Sequence, residues 1–193
     1  MQPLKNYEQT EAYTEFQRLP AGGYVLKILH VEITEPYSGD RCRRMLISFD
    51  IAEGDHADFY KQQYAGQTGE DKKWKGVYRL TIPNDDGSED DNKRYRRFKT
   101  FMNLIEDCNA GYHWAWMEET LKGKLFGGLF NNKEYDYQGR HGFFTNLART
   151  TTVEKIRSGE FELPEDQYLK TQQADINGFV NLPDDIDEEL PFK

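Results

Sequence analysis

Hydrophobic and polar positions alternate along much of this chain with the periods of secondary structure. Residues 24–34 (Tyr-Val-Leu-Lys-Ile-Leu-His-Val-Glu-Ile-Thr) are rich in strand formers, with apolar side chains on both alternating faces. That is the pattern of a long strand covered on both sides for part of its length. A turn-forming run, Glu35-Pro36-Tyr37-Ser38-Gly39-Asp40, follows. A second strand then opens at Arg43, where Met45, Ile47, Phe49 and Ile51 alternate with Arg44, Leu46, Ser48 and Asp50. Residues 52–73 are polar around Phe59, Tyr60 and Tyr64, and fit a ragged strand or a long loop equally well. In residues 74–82, Trp74, Tyr78, Leu80 and Ile82 share one face, and Lys75, Val77, Arg79 and Thr81 share the other.

The period then changes. From about Asp90 to Cys108, Tyr95, Phe98, Phe101, Met102, Ile105 and Cys108 recur at three- and four-residue steps, the stripe of an amphipathic helix with acids in its first turn. Residues 121–130 return to alternation, and their three glycines predict a sharp bend or the close approach of another backbone. Residues 131–140 read as a turn-rich tip and 142–150 as the partner strand. An antiparallel set interrupted by one helix between its third and fourth strands predicts a mainly β fold, a five-stranded OB-type barrel. A helix-decorated β-sandwich shares that order. Residues 1–19 are expected to form an N-terminal arm or short helix, 20–170 the OB domain, and 171–193 a flexible linker and acidic tail.

Composition alters this picture in one respect. Of 193 residues, 37% are hydrophobic, 31% charged and 14% aromatic, so the chain is well supplied with rings and is not of disordered composition. No apolar run approaches the ~20 residues that span a bilayer, and the opening residues lack the apolar core of a secretory signal. The expectation is a cytoplasmic protein with no membrane partner. Cys42 and Cys108 lie far apart with no histidine at ligand spacing, and His30, His56, His113 and His141 are scattered. They suggest small buried or half-buried thiols, no metal site and no cofactor. The acidic run from Asn84 to Asp91 lacks calcium-loop spacing and reads as a turn and a helix N-cap.

The net charge of −9 would seem to disfavour a polyanionic partner, but its distribution matters more. Residues 172–193 hold six acids and one base, which leaves −4 on residues 1–171. Bases gather at Arg41, Arg43 and Arg44, at Lys72, Lys73 and Lys75, and from Lys93 to Lys99, each group near an aromatic ring. In an OB barrel, oligonucleotides meet the face of strands 2 and 3 and the loops 1–2 and 4–5. The first loop and the strand 2–3 side offer Tyr37, Arg41, Arg43, Arg44, Trp74, Lys75 and Arg79. The second offers Lys133, Tyr135, Tyr137 and Arg140, fed by a strand expected to carry Lys122, Lys124, Phe126 and Phe130 on one face. Rings stack on unpaired bases while Lys and Arg track phosphates, which is the need of single-stranded nucleic acid. Phe126, Phe143 and Phe144 are expected to fill core, and the bases of the helix to solvate its outer face.

The chain ends with Asp184, Asp185, Asp187, Glu188 and Glu189 followed by Leu190, Pro191 and Phe192. This resembles the C-terminus of bacterial and phage single-stranded DNA-binding proteins, whose acidic tip with a terminal Pro-Phe recruits replication and repair proteins. Lys193 follows where that tip ends on the Phe carboxylate. With Leu19-Pro20-Ala21-Gly22-Gly23-Tyr24 and Phe126-Gly127-Gly128-Leu129, the body is similar, over residues 16–150, to a phage-encoded family of small replication-associated proteins. The resemblance implies an OB fold that binds single-stranded DNA without strong sequence preference in phage replication or recombination. Its partners would be single-stranded DNA and, through the tail, replication or recombination proteins, with a homo-oligomer left open. No nucleophile–base arrangement or phosphate-cradling loop appears in the sequence, so an enzyme is not expected. The alternatives are a protein-interaction or carbohydrate-binding β module and, second, a metal-dependent nuclease built on clustered acids.

Overall fold

β1 spans Gly22–Thr34, β2 Arg44–Ile51 and β3 Val77–Thr81. The computed structural model describes residues 18–36, 42–69, 71–137 and 139–169. Of the expected arm it therefore covers only Arg18 and Leu19, and Tyr37, Arg41 and the tail from Asp184 to Phe192 lie outside the described residues. β4 is Leu125–Tyr137 and β5 Arg140–Thr151, and the five strands form one antiparallel sheet in the order β3-β2-β1-β4-β5. β1 is long because it is shared. Its first half, from Gly22 to Lys27, pairs with β4, and from Leu26 to Thr34 it pairs with β2, with a bulge between Ile28 and His30. Among the described residues the edge strands β3 and β5 do not pair with each other, so the sheet is not closed.

Among the described residues three α-helices accompany the sheet. α2, Glu89–Cys108, sits between β3 and β4, as the apolar stripe predicts. Ser88 caps it by accepting the Asp91 N–H at 3.1 Å, and the buried Asp91 carboxylate accepts from the Asn84 and Asp86 amides at 2.8 and 3.2 Å. The acidic run is thus a turn stapled to a helix start. Phe98, Phe101, Met102 and Ile105 are buried, and Tyr95, at the margin of the stripe, is 44% exposed. These side chains meet Leu26, Ile28, Met45, Ile47, Phe49, Leu80, Phe126 and Phe130 from the sheet in one core. Phe101 and Phe126 pack edge to face at 5.6 Å, and Phe49 touches Tyr60, Phe126 and Phe130 in the same manner. Cys42 is buried and Cys108 half-buried, both as free thiols.

Residues 52–73 contain α1, Phe59–Ala65, rather than the expected ragged strand or plain loop. Its start carries no local cap: Asp58 has a left-handed backbone and makes no side-chain capping bond. The cap comes from β2 instead, where the buried Asp50 carboxylate accepts from the Tyr60 and Lys61 amides at 2.9 and 3.0 Å. The chain enters β3 later than the alternation suggests, so Trp74 and Lys75 precede the strand. α3, Val153–Ser158, follows β5 and packs on β1 and β4. Its Ile156 lies over Gly23 and Gly127, where a Cβ would come within 2.9 and 2.8 Å of it. Gly127, where a Cβ would also come within 2.8 and 2.9 Å of the Thr152 and Thr151 carbonyls, is thus the close backbone approach expected of the β4 glycines, while Gly123 precedes the strand with open space around it.

Candidate nucleic-acid interface

The structure reassigns the segment read as a turn-rich tip. Residues 131–137 continue β4, and the β4–β5 hairpin stays paired out to Tyr137 and Arg140. Lys133, Tyr135 and Tyr137 therefore stand on a strand rather than at a loop tip. Cross-strand partners share a sheet face. Lys133 faces Phe144, Tyr135 faces Gly142 and Tyr137 faces Arg140, so one face of the hairpin carries two cations and three rings. The Tyr135 ring lies against Gly142, where a Cβ would come within 3.1 Å of its Oη, and is tilted 45° to Phe144 at 6.3 Å. Lys133 is half-buried, and desolvation holds its ammonium below the usual lysine range.

The opposite face is braced. Residues 165–169 run alongside β4 beyond the point where β1 ends, with Gln167 N–H donating to Asn132 O and Glu134 N–H to Gln167 O, both at 2.8 Å. Asp166 accepts from the Asn132 backbone and side-chain amides at 2.8 and 2.9 Å, bonds that hold its carboxyl below the usual range. Glu134 accepts the Leu169 N–H at 2.9 Å and meets His141 Nε2 at 2.5 Å, which lowers its own pKa in that order of importance. Phe143, 36% exposed, packs edge to face on Tyr168 at 6.0 Å. The extended hairpin is thereby held as a stiff arm.

A second group lies on the sheet. The register places His30, Ser48 and Val77 in one cross-strand row, Glu32, Leu46 and Arg79 in the next, and Thr34, Arg44 and Thr81 in the third. Arg44 and Arg79 are thus diagonal neighbours on one face. Followed through β1, the register assigns Lys133, Tyr135 and Tyr137 to this same face, at the opposite end of β1, with α3 over Gly23 and Gly127 between them. Arg43 precedes β2, exposed, and its carbonyl accepts the Ile82 N–H at 2.9 Å. Trp74 is tied down: its indole N–H donates to Phe49 O and Gly76 O at 3.1 Å, and its ring meets Tyr64 at 5.8 Å.

Lys122 and Lys124 belong to neither group. The expected single face of Lys122, Lys124, Phe126 and Phe130 does not form, because β4 begins only at Leu125 after a 3-10 turn, Glu118–Leu121. Phe126 and Phe130 point into the core, while Lys124 Nζ lies 4.5 Å above the Tyr112 ring. Sequence reasoning assigned Phe144 to the core and passed over Tyr112 and the brace at 165–169. The cross-strand partnership of Phe144 with Lys133 becomes visible only once the hairpin register is known.

Among the described residues, no three His, Cys, Asp or Glu side chains are grouped as metal ligands would be, and no helix is long and apolar enough to cross a membrane. A cleft of about 290 Å³ beside Tyr24 and His56 is lined by Glu53 and Arg157. These two form a bidentate pair that keeps the Glu53 carboxyl low. No family model matches the chain, and no curated protein matches it.

Proposed function

We propose that this protein binds single-stranded DNA without strong sequence preference, as an accessory of phage DNA replication or recombination, and that its acidic tail recruits partner proteins. The observation that carries the reading is the hairpin face. Lys133, Tyr135, Tyr137, Arg140 and Phe144 offer flat rings and cations in alternation on a braced arm. Unpaired bases present π-faces and phosphates at a similar alternation, so such a strip suits them regardless of sequence. Arg44 and Arg79 on the same sheet face supply further phosphate contacts.

The strand order, with α2 between β3 and β4, supports a partly open OB-type barrel as the scaffold. Binding of this kind needs no covalent chemistry. Asp184, Asp185, Asp187, Glu188 and Glu189 with Leu190, Pro191 and Phe192 form a short acidic motif with an apolar end, suited to a basic groove on a replication or recombination protein. A gel shift with labelled oligothymidylate, challenged by excess unlabelled single strand, duplex or polysaccharide, tests the reading. Competition by the single strand alone is expected. Displacement by polysaccharide would favour a carbohydrate-binding module, and loss of full-length label with magnesium would favour a nuclease.

A further inference from the structure

We propose that Trp116 is a second base-stacking platform, which carries a bound single strand beyond the hairpin onto the α2 side of the domain; this rests on the reading of the protein as a single-strand binder. Trp116 is 71% exposed, the most exposed large hydrophobic side chain among the described residues, and it is presented rather than loose. Its ring lies nearly parallel to that of the buried Phe98, at 14° and 6.2 Å, and leans on Trp114 at 6.1 Å. Its backbone is left-handed, with φ 60°, a conformation that bulky residues adopt only where their surroundings impose it. Trp114 is fixed in turn, its backbone N–H donating to Glu106 Oε1 at 2.7 Å.

The neighbourhood favours nucleic acid over a purely apolar partner. Tyr95, Lys99 and Glu106 recur at four- and seven-residue steps on α2, so an exposed ring and a lysine share the helix row that holds the Trp link. Among the described residues no carboxylate pairs with Lys99 of this row. At the start of the link, Lys124 sits over Tyr112, whose hydroxyl bonds Thr120 Oγ1 at 2.9 Å, and Lys122 is exposed. An exposed indole face, with Tyr95 and Lys99 on the helix row that holds its neighbour Trp114, suits an unpaired base and a phosphate.

The full chain is titrated with a short oligothymidylate of about five nucleotides and a long one of about thirty, lengths at the lower end of and well above a single OB site. Trp116→Ala should weaken long-strand binding about five- to a hundredfold, the range for one lost stack, and leave the short strand, held by the hairpin, nearly unaffected. Trp116→Phe should retain most of the affinity. Photo-cross-linking of an iodouracil-substituted long strand to the unaltered protein, mapped by mass spectrometry, should mark Trp116 without relying on any variant. Unchanged long-strand affinity in Trp116→Ala, with cross-links confined to Tyr135, Tyr137 and Phe144, would overturn the platform and leave the hairpin reading standing. No binding of either strand by the unaltered protein would overturn both.

Discussion

Gly23 on β1 and Gly127 on β4 lie beneath the same side chain, Ile156 of α3. A Cβ at Gly23 would meet Phe161 as well, at 2.5 Å, and one at Gly127 would meet the Thr152 carbonyl at 2.8 Å. Gly23 and Gly127 thus admit the helix that closes over β1 and β4, whereas a Cβ at Gly128 would meet Leu26 and Leu147 on the other face. Gly127→Ala puts a methyl against backbone, which cannot swing aside, and should destabilise by about 1–3 kcal/mol. A urea midpoint unchanged from the parent would show that α3 yields without cost.

On the proposed reading the rings divide into core rings and stacking rings, and substitution should separate them. Phe101 is 2% exposed and central to the core, so Phe101→Ala should cost about 3–5 kcal/mol of stability. Tyr135→Ala with Tyr137→Ala removes half-buried rings from the hairpin face. It should lower single-strand affinity by about 1–3 kcal/mol per lost stack while the thermal midpoint moves little. Loss of folding in the double variant would mean that these rings hold the hairpin together.

Asp50 supplies the cap that α1 lacks in its own sequence. Its carboxylate accepts from Ile51, Tyr60 and Lys61, and Asp50→Ala would leave those amides without their acceptor. The expected loss is about 1–3 kcal/mol, with amide exchange at Tyr60 and Lys61 accelerated beyond that of the β2 core. Equal acceleration everywhere would indicate global rather than local loss.

The brace along the hairpin should be acid-sensitive. Glu134 and Asp166 both have folded pKa values below their unfolded ones, because each carboxylate accepts hydrogen bonds from the chain it holds. Such groups bind protons more readily when unfolded, so their stabilisation is complete above the unfolded value, about 4 for carboxyl groups. It is lost as pH falls through the lower folded values. The Leu169 and Asn132 amide resonances should hold steady from neutrality to about pH 5 and shift together below about pH 4. Resonances independent of pH down to acid unfolding would sever the brace from these carboxylates.

The elements most legible in the sequence are those whose stabilising partners are local or periodic. The α2 stripe, the turn and N-cap before it, and the alternation of Met45, Ile47, Phe49 and Ile51 are read within a few positions and appear as expected, with Ser88 as the capping residue. α1 was illegible because its cap comes from Asp50 on a different element. The hairpin part of the candidate site was misread in place. Lys133, Tyr135, Tyr137 and Arg140 do share a face, but as strand residues, since turn-like composition concealed pairing that the β5 register sustains. Lys122 and Lys124 were assigned by an alternation that the 3-10 turn before β4 interrupts.

The central claim is tested most directly by titrating the full-length protein with one labelled oligothymidylate and the matching duplex, at low and at high salt. Phosphate contacts by cations such as Lys133, Arg140, Arg44 and Arg79 release counterions, so single-strand affinity should fall with salt at a slope of about 0.7 per contact. The stacking contribution should keep the single strand preferred over the duplex at both concentrations. Equal affinity for the two forms, or none for either at low salt, would contradict the account.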